Sequence, residues 1–169
     1  TCALPIFDPD TLDRHAYDAL AQHPMQSYAW GKVRAKTGIR VVRFGLFEGE
    51  VLSAVYQMTV HKLPKVSYYI GYIPRSAVPT REVVDFMHAW AEKEKIIFIK
   101  WEPYVQFEEG EHGMKTLPCM RKSPHPLFTE WNQEVDLALS LEEIQKAFRK
   151  TTRYSIRHAE KAGATAVEM

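Results

Sequence analysis

Apolar and polar positions along this chain repeat with two different periods, and the changes between them mark its elements. From Ile39 to Phe47, and again from Val51 to Thr59, β-branched and aromatic residues dominate with single polar interruptions, which predicts two strands. Only Glu48-Gly49-Glu50 separates them, so a tight antiparallel hairpin follows. A third strand is predicted over Val66 to Ile73, ending at Pro74, which has no N–H to give a ladder. Ahead of the hairpin, Asp8-Pro9-Asp10 offers a helix start for Leu12, Ala16, Ala19 and Leu20 at helical spacing, and His23-Pro24 closes it. Ser27 is predicted to cap a second helix running through Trp30 and Val33 to Lys36, with Gly38 stopping it.

Further along, Thr80 is predicted to cap a helix that places Val83, Val84, Met87, Trp90 and Ala91 on one face. Ile96 to Trp101 is apolar but for Lys100, as expected of a strand in the buried middle of a sheet. Tyr104 to Pro126 reads as irregular, with room for a short helix near its centre. A strand is expected over Phe128 to Leu139. Ser140 and Glu143 then form a capping-box pattern that opens a helix to about Ala162, ended by Gly163, and Ala164 to Val167 begins one more strand. The order predicts an α/β (α+β) fold with a mixed, largely antiparallel sheet of about six strands flanked by helices, all in one domain. An ending at a strand start is expected of a fragment.

Length and composition fit one domain with a substantial core: 169 residues, 46% hydrophobic and 25% charged. The apolar runs are too short for a membrane span, and Thr1 to Pro5 lacks the pattern of a signal peptide. Cys2 and Cys119 have no metal-ligand spacing and read as free thiols, so a cytoplasmic location is expected. The net charge of +1 argues against bulk nucleic-acid affinity and leaves room only for a local basic strip.

Such a strip is present in the helix predicted after Ser140. On one continuous wheel, Lys146, Arg149, Lys150, Arg153, Arg157 and Lys161 fall on one side. Ile144, Phe148, Thr151, Thr152, Ser155 and Ala159 fall on the other. A cationic strip suits the phosphates of tRNA or of a nucleotide diphosphate, with Arg149, Arg153 and Arg157 as the contacts, and a solvated helix face is the competing reading. The seven histidines are scattered and form neither a metal-ligand pattern nor a triad, so no metal site is expected.

Four stretches in order resemble the Fem family of peptidoglycan interpeptide-bridge enzymes. They are His23-Pro-Met-Gln-Ser-Tyr-Ala-Trp-Gly-Lys-Val-Arg34, Tyr69-Ile-Gly-Tyr-Ile-Pro-Arg-Ser-Ala-Val78, Ile97-Phe-Ile-Lys-Trp-Glu-Pro103, and Thr129 to Leu139 continuing into Arg149 to Gly163. Ser76-Ala77 departs from the family's usual Gly-Pro. The resemblance implies two GNAT-like subdomains sharing one active site, with this chain as the first. It implies transfer of an amino acid from aminoacyl-tRNA to the stem peptide of a lipid-linked or UDP-linked muropeptide, with no metal or other cofactor and with peripheral membrane contact at most. Two other readings stand beside it: a self-contained acyl-CoA-dependent N-acyltransferase, against which the missing pyrophosphate loop speaks, and a non-catalytic binding module.

By the same resemblance Arg34 stands where a cation meets the precursor's diphosphate, with Lys32 and Lys36 near enough to share the role. Tyr69, Tyr72 and Arg75 lead from a strand into a loop, where ligand contacts gather. Lys100, Glu102 and Tyr104 close the apolar strand, at the kind of strand end that borders ligand sites. Glu102 is placed either to bind an ammonium group of a substrate or simply to pair with Lys100. No catalytic base is assigned, because the family's groups for that role lie mostly beyond residue 169.

Overall fold

Each helix start in the first part of the chain is set by a side chain that takes up backbone donors. The computed structural model describes residues 2–3, 13–105, 117, 120–129, 134–165 and 167. It separates into two compact units, Thr1–Pro126 and Leu127–Met169. Asp13 caps α1 (Arg14–Leu20), Ser27 caps α2 (Tyr28–Lys36) and Thr80 caps α3 (Arg81–Lys93), each accepting from backbone N–H groups of its helix's first turn. Between α1 and α2, Pro24–Gln26 form one 3₁₀ turn. The predicted start of the first helix at Asp8-Pro9-Asp10 lies outside the described residues.

The strands of the first unit are β1 (Cys2–Ala3), β2 (Arg40–Glu48), β3 (Val51–Lys62), β4 (Tyr69–Ser76) and β5 (Ile96–Pro103), in spatial order 1-2-3-4-5. β1 to β4 pair antiparallel, and β5 runs parallel to β4. The hairpin forms as expected, with Glu48 opposite Val51 and Gly49 at φ +66°. Alternation gives the sheet one apolar face, on which Phe44, Tyr56, Met58 and Ile73 meet Val83, Met87 and Trp90 of α3. Trp90 stands edge-on to Phe44 at 5.1 Å between ring centroids. Burying each large side chain here contributes about 1.5–3 kcal/mol.

Several expectations need correction. Pro74 does not end β4, because the strand carries on to Ser76. Pro74 lies opposite Glu102 of β5, and the ladder shifts register between Pro74 and Ser76, where Arg75 adopts φ +47°. β5 is not the middle of the sheet: among the described residues it is the edge, with Ile97 56% and Phe98 52% exposed. No strand forms at residues 128–129 or 134–139, nor at 164–165, so the sheet has five strands among the described residues.

In the second unit the long helix is two: α4 (Leu141–Ala147) and α5 (Lys150–Lys161). Ser140 and Glu143 form the predicted capping box. Phe148 and Arg149 take ψ of 148° and 151°, which breaks the helix and leaves α5 without a side-chain cap. The continuous wheel therefore fails at this joint, and only Lys150, Arg153, Arg157 and Lys161 share one helix face.

Candidate functional site

The face of the sheet opposite α3 carries Arg43, Gln57, Thr59, Tyr72, Lys100 and Glu102, a polar set that alternation predicts from the apolar set. α1, the 3₁₀ turn and α2 cover only part of it. Under them Arg43 is buried: its guanidinium donates to Tyr28 O at 3.2 Å and lies 4.4 Å from the Tyr28 ring centroid. Gly31 makes this fit possible, since a Cβ there would come within 2.0 Å of Gln57 Oε1 and 2.2 Å of an Arg43 nitrogen.

Beside this cover the sheet forks. β3 and β4 pair only from Thr59–Tyr72 to Lys62–Tyr69, and beyond that β4 stays with β5 while β3 stays with β2. Gln26, 1% exposed, fills the fork. Its Oε1 accepts from Gln57 N at 2.6 Å, and its Nε2 donates to Gln57 O at 3.2 Å and to Pro74 O at 2.5 Å. One side-chain amide thus stands in for the strand that each partner lacks. The Gln57 amide is fixed in turn, donating to Met25 O and Ser27 O at 3.1 Å each.

Past the cover the polar face lies partly open. The Tyr72 hydroxyl donates to Glu102 Oε2 at 2.6 Å, a short charge-assisted bond. Burial first, then the bond and charge of Glu102, push the Tyr72 phenol well above its ordinary pKa, so it stays a donor at neutral pH. The Tyr72 carbonyl accepts from Thr59 Oγ1 at 3.4 Å, and Thr59 Oγ1 sits 2.9 Å from His61 Nε2. Burial and the nearby Arg34 charge lower the His61 pKa, which fits a neutral ring donating from Nε2.

At the β4–β5 end, the Arg75 guanidinium is 6.0 Å from the Tyr104 ring centroid and the His23 ring 5.1 Å from it. His23 Nδ1 accepts from Met25 N, and burial and Arg75 lower its pKa, so this imidazole is neutral as well. The arrangement is a carboxylate held by a phenol, flanked on one side by Arg75, Tyr104 and His23 and on the other by His61 and Arg34. A carboxylate so placed suits an amine or ammonium, and the arginines suit anionic groups.

Not all the expected residues join this set. Tyr72, Arg75, Glu102 and Tyr104 come together at one end of β4 and β5. Tyr69 is on the other face, packed against the core. Arg34 lies beside His61, whereas Lys32, two residues away, is exposed on another side of α2. Lys100 does not pair with Glu102; its Nζ donates to Ser123 Oγ at 3.0 Å and to His125 O. In the second unit Arg153 and Arg157 line a groove between α4 and α5 with Glu142 and Glu160, and Arg157 Nε donates back to Arg153 O at 3.3 Å. Arg149 stands at the break between the two helices. Sequence reasoning does not single out Gln26, Gln57 and His61 as site residues. A glutamine inside the run Val55-Tyr56-Gln57-Met58 was the signal that a polar partner would have to cover that face.

No cluster of three or more metal-ligating side chains occurs among the described residues, and none of their helices is long and apolar enough to cross a membrane. Residues 8–125 match the sequence profile of the FemAB family. The fold is similar to a crystal structure of FemX, with TM-score 0.67 and 21% identity over 93% of this chain and 44% of that one. It is also similar to a ribosomal-protein-alanine N-acetyltransferase from Brucella melitensis biovar Abortus 2308, with TM-score 0.52 and 12% identity over 76% of this chain and 99% of that one. At these identities the likenesses are of fold, and the second gives the sheet its GNAT-like character. No curated protein matches the chain. The chain spans less than half the length of the FemX structure.

Proposed function

The chain belongs to the FemAB family, and from that premise we propose that it is the first, acceptor-binding subdomain of an aminoacyltransferase. The enzyme would move an amino acid from aminoacyl-tRNA to the stem peptide of a peptidoglycan precursor, the second GNAT-like subdomain lying outside these 169 residues. The observation that carries this reading is the Tyr72–Glu102 pair, a carboxylate held in place on the open face of a forked, GNAT-like sheet.

In aminoacyl transfer an amine attacks the ester that joins amino acid to tRNA. The nitrogen must lose a proton and the ester oxygen must be stabilised as charge develops on it. Glu102 supplies a carboxylate to hold the acceptor's ammonium, and the Tyr72 bond fixes its direction. Arg75 and Tyr104 border the same pocket end, where the stem peptide's own carboxylates would meet a cation. Arg34, beside His61, is left to meet the precursor's diphosphate. Arg149, Arg153 and Arg157 remain the proposed phosphate contacts of tRNA, with Glu142 and Glu160 limiting the strength of that groove.

Binding of a UDP-linked muropeptide to the chain, measured calorimetrically, tests the acceptor assignment. Glu102→Gln is expected to weaken it at least tenfold, since a charge-assisted hydrogen bond contributes roughly 1.5–3 kcal/mol. Unchanged affinity in that variant would remove Glu102 from the acceptor site.

A further inference from the structure

The end of the sheet opposite the Glu102 pocket has a chemistry of its own. The chain makes three reversals there: Lys36 to Arg40 between α2 and β2, Leu63 to Tyr68 between β3 and β4, and Glu94-Lys95 between α3 and β5. The ladder brings them to one end, because Arg40 lies opposite Val60, Lys62 lies opposite Tyr69, and Tyr69 lies opposite Ile96 and donates to Lys95 O at 3.0 Å. The middle reversal is an ordered turn, closed by Leu63 N–H on Tyr68 O at 2.9 Å. At its tip Val66 is 47% and Tyr68 50% exposed. Lys62 ends β3 at this turn, Lys65 lies within it, Lys95 lies in the neighbouring reversal and Lys36 ends α2 at the third, all four exposed. Glu94, next to Lys95 in sequence, is taken up by Arg40 at 2.7 Å.

Two of these lysines stand where the backbone favours other residues. Lys65 has φ +66° and Lys95 φ +57°, left-handed turn positions that glycine or asparagine occupies at lower cost. Lysines at such positions, at the same sheet end as an exposed aromatic and an exposed valine, make a surface that offers charge and apolar contact together. That combination matches a bilayer interface, where tyrosine sits at the headgroup level and lysines meet anionic lipid.

We propose that this end of the first unit docks on an anionic membrane surface, with Val66 and Tyr68 entering the headgroup layer and Lys36, Lys62, Lys65 and Lys95 against lipid phosphates. The docking face lies at the opposite end of β4 and β5 from Arg75 and Tyr104, so a docked molecule keeps its pocket open to the aqueous side. The assignment rests on this surface and is read without any transfer reaction, so its failure is separable from failure of the proposed function.

The test is co-sedimentation of the chain with vesicles of phosphatidylcholine alone and of phosphatidylcholine with an equal part of phosphatidylglycerol, with poly-uridylate as a competing polyanion. Binding is expected only to the anionic vesicles. Lys62→Gln with Lys65→Asn should weaken it roughly twenty-fivefold, since one lysine near such a surface contributes about a fivefold factor. Val66→Ser with Tyr68→Ser should weaken it while leaving the lysines in place, and the asparagine keeps the left-handed turn so that the fold survives. No binding to anionic vesicles overturns the proposal. So does vesicle binding that neither double variant weakens, or poly-uridylate binding in place of vesicle binding.

Discussion

At the scale of single residues, the fold depends on polar groups placed where few partners are available. Gln26→Leu strands Gln57 N–H, Gln57 O and Pro74 O at the fork. With each buried unpaired group costing about 1–3 kcal/mol, a loss of at least 3 kcal/mol is expected in urea unfolding. Gly31→Ala forces a methyl against Gln57 and Arg43, whose side chains are fixed by their own bonds, and overpacking of this kind costs about 1–3 kcal/mol. Burial pushes the Tyr56 phenol up to about 12 and those of Tyr17 and Tyr72 higher still. Unfolded tyrosines ionise near pH 10, so the stabilising contribution of these three is complete below that pH. It declines as pH rises further, because the unfolded chain releases its protons first. Absorbance titration should show three of the eight tyrosines ionising late. In Glu102→Gln, Tyr72 should titrate earlier than in the unsubstituted chain yet later than a free tyrosine, since burial remains. The sequence carries one hint of this, Gln57 in an apolar run, but not its partner: Gln26 there is only one letter of a family-like motif, and its bonds span 31 and 48 residues.

At the scale of elements, local chemistry predicted well what local chemistry controls. The Ser27, Thr80 and Ser140 caps, the Gly49 turn and the apolar face of α3 depend on neighbours a few residues away, and all are present. Errors arose where tertiary pairing decides. Pro74, which has no N–H to give, is tolerated inside β4 because β3 has already left the ladder there and Gln26 supplies the donor that its carbonyl needs, and apolarity alone did not tell the edge strand β5 from a central one. The break at Phe148-Arg149 has no breaker residue to announce it. α5 consequently begins without a side-chain cap, and Arg149→Asp should extend its helical signal in circular dichroism and stabilise it by about 1 kcal/mol. If α4 and α5 instead act as one helix in solution, that substitution falls in mid-helix and should lower helicity.

At the scale of the whole molecule, the proposed function makes the half-covered polar face of this GNAT-like sheet one wall of a site. The family membership was legible from four motifs in order, whereas the pocket they build was not, because Tyr72 and Glu102 are 30 residues apart and meet only through parallel pairing of β4 and β5. The 169 residues by themselves are expected to show no transfer from aminoacyl-tRNA, while the chain joined to its second subdomain should be active. In that joined protein, Arg149→Ala, Arg153→Ala and Arg157→Ala together should weaken tRNA binding and flatten its salt dependence, since each lost phosphate contact removes a counterion-release contribution. The most direct measurement of the central claim is the rate of amino-acid transfer from charged tRNA to a UDP-linked muropeptide by the joined protein, with Glu102 and with Glu102→Gln. The account predicts at least a tenfold fall in kcat/KM for the variant, with tRNA binding unchanged; equal rates for the two proteins would contradict it.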